Sequence, residues 1–397
     1  MKAANLTAGN RPISPVLRPH FITKRQYANL VKAAEPLFSA INRVEKMTLG
    51  SARLQSRIQM LPAEKMLASM DPGYPFLSVT SLLDTNLHNG SLRFTGYAAE
   101  TPAGVAFGEA LDNLFYDAPP VKEFRKKYSL GKLGGTKHLL SALLKSYKEF
   151  GVKNKKPTIA ILEFRQPFQS SDSSEYVLLA EFFRHQGYRA EVVSPDQLEY
   201  RNGQLRRGDF TIDLIYRRIK VAEFLVRFDL THPLVRAYRD RAVCIVNSFR
   251  SELAQKKAIF DLLTDETITH GFPAVERKAI REFIPWTRVV AQTNTSHDGK
   301  IVDLRLGTRA QAGAAFALRR AGRDRADHRA LPDLPIRQLR DSRHAHRRAS
   351  TFLPRQGAGL FELVVARRAI RIIHRVGTRA HLRDRHEVTR FHSPPGE

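Results

Sequence analysis

One cysteine and one tryptophan occur in 397 residues, and no apolar stretch reaches the length of a membrane span. A single Cys244 excludes an internal disulfide, and no Cys/His cluster has zinc-site spacing. Cys244 lies in the apolar run Ala242-Val243-Cys244-Ile245-Val246, which reads as a buried strand and not as the setting of a nucleophile. The N-terminus, Met1-Lys2-Ala3-Ala4-Asn5-Leu6, lacks an apolar leader core, so a cytoplasmic location with no membrane partner is expected. Neither G-x-x-x-x-G-K-[ST] nor H-E-x-x-H is present. Gly131-Lys132-Leu133-Gly134-Gly135-Thr136-Lys137 has the composition of a phosphate loop in the wrong order, and predicts instead a turn with Thr136 as N-cap. His344 and His346 form an H-x-H pair without a third ligand.

A further absence divides the chain. The 97 residues after Lys300 contain no Lys, Asn, Tyr, Met, Cys or Trp, while Arg305 to Arg390 supply 21 arginines. The formal charge of +26 divides accordingly: residues 1–303 carry 44 basic and 31 acidic side chains, and residues 304–397 carry 21 and 8. Only the tail is dense enough in positive charge to resemble a polyanion binder.

The first 303 residues read as mixed α/β. Tyr27, Leu30, Val31, Ala34, Leu37, Phe38, Ile41 and Val44 recur at helical spacing after the N-cap candidate Thr23. Pro36 inside this pattern predicts a kink or a division. Shorter helices are expected over about 51–61 and 63–70, then a strand from Phe76 to Leu83 paired with Ser91 to Ala98 across Asn89-Gly90. Helices follow at about 105–116 and 136–150. The basic linker Lys153-Asn154-Lys155-Lys156-Pro157 leads to strands at 158–162, 189–193, 212–216 and 243–247. A helix over 173–186, a small hairpin around Asn202-Gly203 and a helix over 252–263 accompany them. Strands alternating with helices imply βαβ units and a parallel sheet. The expected organisation is an N-terminal helical and hairpin region (1–152), a parallel-sheet domain (153–303) and a poorly structured arginine-rich tail (304–397).

Three charged groups stand out. Asp172-Ser173-Ser174-Glu175 opens a helix with spacing close to a capping box, which would repel an anionic ligand. Arg217-Arg218 ends a buried strand, where open α/β sheets place ligands and where a solvated strand end is the alternative. Lys256-Lys257 sits in an apolar helical pattern, either as a surface face or near a phosphate.

The order of segments resembles the circularly permuted ATP-grasp proteins related to glutathionylspermidine synthase. The resemblance rests on Thr95-Gly96-Tyr97-Ala98-Ala99-Glu100-Thr101-Pro102-Ala103-Gly104, on Ile212-Asp213-Leu214-Ile215-Tyr216-Arg217-Arg218, on Val246-Asn247-Ser248-Phe249-Arg250 through Lys256-Lys257-Ala258, and on Phe283-Ile284-Pro285-Trp286-Thr287-Arg288. It covers most of residues 20–303 and implies a pre-ATP-grasp-like substrate domain. The implied activity is ATP-dependent carboxylate-amine ligation of a peptide or amino-acid carboxylate to an amine, with ATP and Mg as cofactors. It further implies Asp84 and Glu100 near the metal, Lys256 or Lys257 at the nucleotide, and Arg217, Arg218 and Arg250 beside the substrate cleft. Gly96 and Ala98 stand where the family has Glu and Asn. The family's Lys-Pro strand and Gly-Gly lid find no counterpart after Lys300, so no ligase turnover is expected from this chain.

Three readings of the tail compete: an out-of-frame translation of GC-rich coding DNA, a nucleic-acid-binding arm, or a partner-binding helix around 366–376. The missing Lys, Asn, Tyr and Met favour the first. Phosphate binding through the arginines is the alternative function.

Overall fold

The computed structural model describes residues 6–8, 11–14, 19–88, 91–151, 154–164, 175–289, 294–297, 300–303, 361–364 and 370–375. These belong to two units, Met1–Val289 with Phe361–Glu397, and Val290–Leu360.

The larger unit begins with the paired strands β1 (Thr7–Ala8) and β2 (Arg11–Pro12), then β3 (His20–Thr23) and α1 (Lys24–Leu49). Thr23 caps α1 as expected: Gln26 N–H donates to Thr23 Oγ1 at 3.1 Å, and Thr23 N–H donates to Gln26 Oε1 at 2.8 Å. Pro36 does not divide the helix. The carbonyl that loses its donor belongs to exposed Lys32, where water can satisfy it, and the buried stripe runs unbroken from Leu30 to Val44. Two short helices follow, α2 (Ala52–Ile58), capped by Ser51, and α3 (Pro62–Ser69).

The hairpin is β4 (Thr80–His88) and β5 (Ser91–Ala98). Its first strand starts later than the predicted Phe76, because Val79 N–H and Thr80 N–H both donate to the Asn247 side chain at 3.0 Å. The turn Asn89-Gly90 lies outside the described residues. Next come α4 (Val105–Tyr116), α5 (Pro119–Lys127), β6 (Leu130–Lys132) and α6 (Thr136–Glu149). Helix α5 was not anticipated, since Val121 is its one buried residue and no apolar period marks it. Thr136 is the first residue of α6 and not its cap. The helix end is held by Glu109 Oε2, which accepts from Gly135 N, Thr136 N and Thr136 Oγ1 at 3.0, 2.9 and 2.7 Å.

The second half builds β7 (Ile159–Leu162), α7 (Glu175–His185) and β8 (Ala190–Val193), then a small antiparallel sheet of β9 (Glu199–Arg201), β10 (Gln204–Arg207) and β11 (Phe210–Thr211). Asn202 and Gly203 take φ of 52° and 71°, the double left-handed conformation of a tight hairpin turn. Then follow β12 (Leu214–Arg217), α8 (Val221–Arg227), α9 (Pro233–Arg239) and β13 (Cys244–Val246). A four-stranded parallel sheet results, in the order β13-β12-β7-β8. Its central strands are buried at every position, which accounts for their unbroken apolar runs.

The predicted helix over 252–263 is two, α10 (Glu252–Gln255) and α11 (Ala258–Leu263), because Lys256 is extended at φ −70° and ψ 134°. They precede α12 (Glu266–Thr269) and α13 (Ala274–Phe283). Residues from both sides of position 152 share cores. Phe38, Ile41 and Phe94 cluster with Leu253, Phe260 and Ile280, and Tyr74 and Leu143 cluster with Ile161, Phe183 and Val246.

The smaller unit is described by one antiparallel hairpin, β14 (Asn294–His297) and β15 (Lys300–Asp303). Two tail segments return to the larger unit. Strand β16 (Phe361–Val364) pairs antiparallel with β3 and parallel with β6, and β17 (Ile370–Arg375) pairs antiparallel with β4. Of the expected poorly structured tail these two strands alone are described, and within the segment 366–376, one of whose readings was a helix, Ile370–Arg375 is a strand. His344, His346 and the rest of the tail lie outside the described residues.

Candidate functional site

The sheet order sets where a ligand can enter. From β7 the chain crosses through α7 to β8 on one side, then returns past β7 to β12 and β13 on the other. The direction of winding reverses between β7 and β12, and the carboxyl ends of two such strands are where open α/β sheets place ligands. Glu163 directly follows β7, and Arg218 directly follows β12. Tyr176, in the first turn of α7, lies between them, with its ring 5.6 Å from the Arg218 guanidinium.

Arg218 is buried. Nη1 donates to Tyr216 Oη at 3.3 Å, Nη2 donates to Glu175 Oε2 at 3.4 Å, and the guanidinium also lies 5.5 Å from the Tyr216 ring. Burial works against its charge, but Tyr216, Glu175, Tyr176 and Glu163 outweigh it and hold the arginine firmly protonated. Among the described residues its Nε has no partner, nor does the buried Oε2 of Glu163. Burial pushes the Glu163 carboxyl above the usual carboxylate range, against hydrogen bonding from Tyr176. A buried donor and a buried acceptor thus stand at the carboxyl ends of two neighbouring strands. A ligand that offers an acceptor to Arg218 Nε and a proton to Glu163 Oε2 would satisfy both. An amide, or the carboxylate and ammonium of an amino acid, has that chemistry.

The capping box expected at the start of α7 falls partly on residues outside those described. The Glu175 carboxylate accepts from Gly104 N at 2.8 and 2.9 Å and from Ala106 N at 3.0 Å, capping α4 while it holds Arg218. Asp172 lies outside the described residues.

Arg217 points to the opposite face, fully buried. Its five N–H groups go to Asn247 O (2.9 Å), Glu100 Oε1 (3.0 Å), Ile219 O (2.7 Å), Ser248 O (3.2 Å) and Ser251 Oγ (3.1 Å). Every donor of the guanidinium is engaged within the protein. Glu100, equally buried, accepts from Arg217 and from Val221 N–H. The sequence gives no hint of this pairing, since Glu100 and Arg217 are far apart in the chain.

Among the described residues, those at the implied metal positions do not fit a magnesium ion. Asp84 on β4 faces Gly96 on β5, and its Oδ2 would lie 2.8 Å from a Cβ placed on Gly96, so the position of the family's Glu is already filled. Ala98 offers no ligand atom, and the Glu100 carboxylate is tied to Arg217. Among the described residues no group of three or more His, Cys, Asp or Glu could hold a metal.

The two lysines differ. Lys256 Nζ bonds Glu64 Oε1 at 2.9 Å and Glu252 Oε1 at 2.8 Å, whereas Lys257 is exposed. Burial opposes the charge of Lys256, and the two carboxylates more than restore it. Arg250 reaches Asp71 at 3.9 Å and is mostly buried.

Asn247 carried no signal in the sequence, yet it joins the hairpin to the sheet. Its Oδ1 accepts from Val79 and Thr80, and its Nδ2 donates to Thr80 O at 2.8 Å and Ala99 O at 2.5 Å. Among the described residues no helix is long and apolar enough to cross a membrane. No family model matches the chain, and no curated protein is significantly similar to it.

Proposed function

We propose that the chain is an ATP-grasp-ligase-like protein of the circularly permuted kind, which holds an amino-acid or peptide ligand at the carboxyl ends of β7 and β12 and has no ligase turnover of its own. One observation carries this reading. Three of the segments behind the resemblance, separated widely in sequence, interlock around Arg217: the turn at Glu100, the strand ending in Arg217-Arg218, and the stretch from Asn247 to Ser251. The fourth packs into a core with two of them, Ile284 clustering with Ala99, Leu253 and Ala254.

The absence of turnover follows from Gly96 and Ala98 and from the tail composition. Calorimetric titration with free amino acids and tripeptides tests ligand binding. Arg218→Ala weakens that binding by about tenfold or more, the cost of one charge-assisted contact. Binding that ignores Arg218→Ala sinks the ligand assignment. ATP-dependent phosphate release with any peptide and amine pair sinks the claim of inactivity.

A further inference from the structure

A groove of about 590 Å³ runs along the free edge of the sheet. It is lined by apolar Val177, Ala180 and Val192, by Tyr188, and by the exposed Arg184 and Arg189 together with Arg207. Each guanidinium is aimed by an internal contact. Arg184 Nε donates to Ala190 O at 2.8 Å, Arg189 lies 5.5 Å from the Phe210 ring, and Arg207 pairs with Glu191 while donating to Val192 O at 3.4 Å.

These contacts decide what kind of partner fits. Strand β8 bonds β7 through Arg189 O and Val193 O, so Ala190 O and Val192 O are the carbonyls facing outward. Both are already taken by arginines. An added β-strand would need those carbonyls, so the edge is closed to strand addition. What stays available is positive charge, three guanidiniums against the single carboxylate of Glu191, beside an aromatic ring and apolar side chains.

We propose that this groove binds a nucleoside diphosphate, with the base against Tyr188 and the apolar lining and the phosphates on Arg184 and Arg189. The site shares no residue with the strand ends at Arg218, and it stands independently of the function proposed above.

The test is titration of the full chain with ADP, adenosine and inorganic pyrophosphate, followed by calorimetry. ADP binds about tenfold or more tightly than either fragment, because both halves of the groove contribute. The double variant Arg184→Glu/Arg189→Glu loses ADP binding, and Arg189→Glu alone, which leaves the Arg184 bond to Ala190 intact, weakens it. Lys256→Ala/Lys257→Ala leaves it unchanged. ADP binding no tighter than pyrophosphate overturns the proposal, as does ADP binding that survives the double variant or depends on Lys256 and Lys257. A thermal melt of each variant separates lost binding from lost fold.

Discussion

Replacing Glu45 by glutamine will flatten the pH dependence of stability above pH 5. Glu45 is fully buried, Ser78 Oγ donates to its Oε1 at 2.6 Å, and among the described residues its Oε2 has no partner. Burial raises its carboxyl from an ordinary 4.5 to about 8, so the folded protein keeps a proton that the unfolded chain has released. The stability this proton supports is fully present below pH 4.5 and is lost as pH rises toward 8. The slope is about 1.4 kcal/mol per pH unit, which accumulates to roughly 3–5 kcal/mol across that interval. Glutamine keeps the acceptor for Ser78 and carries no proton to lose. Asp112 and Glu252 are raised in the same direction by burial, but they are present in both proteins and cancel in the comparison. Urea unfolding of wild type and Glu45→Gln at pH 5 and pH 8 gives the difference directly. The variant should gain on the wild type by several kcal/mol at the higher pH. A gap that stays constant with pH refutes the argument that Glu45 is buried in its neutral form.

Arg217→Ala leaves the Glu100 carboxylate buried without its cation and should cost about 3–5 kcal/mol in urea unfolding; Glu100→Gln with Arg217→Ala should cost less than the sum of the two alone. Asn247→Asp turns the donor facing Thr80 O and Ala99 O into a second acceptor, and a loss of about 2–4 kcal/mol is expected in a denaturation curve. Gly96→Glu with Ala98→Asn should lower the melting temperature without creating magnesium binding, because Asp84 fills the space above Gly96; a stable variant that binds the ion refutes this. An alternative reading frame beyond codon 303 should encode a Lys-Pro strand and a glycine-rich lid, and the coding DNA decides it.

Much of the architecture was legible because it rests on local chemistry. Thr23 and Gln26 mark the start of α1 within one turn, and Asn202-Gly203 marks a hairpin by conformation alone. The parallel sheet announced itself through short apolar runs, which only a strand buried on both faces requires. The site was less legible. Arg217 and Arg218 look alike in sequence, but successive residues along a strand face opposite ways, and one is engaged internally on all five donors while the other has an Nε with no partner among the described residues. Glu163 and Tyr176 gave no signal, since their meaning depends on which strands become neighbours at the reversal of winding. The break at Lys256 was hidden because the apolar period continues across it; Lys256 is held by Glu64, nearly 200 residues earlier.

The amino-acid sequence by itself determined the α/β class, most helix and strand positions, and the change of composition after Lys300, since propensity, capping and periodicity act over a few residues. The tertiary structure alone decided which charged groups are paired and which are open, because Glu100, Glu175 and Asn247 find their partners only when segments a hundred or so residues apart are packed together.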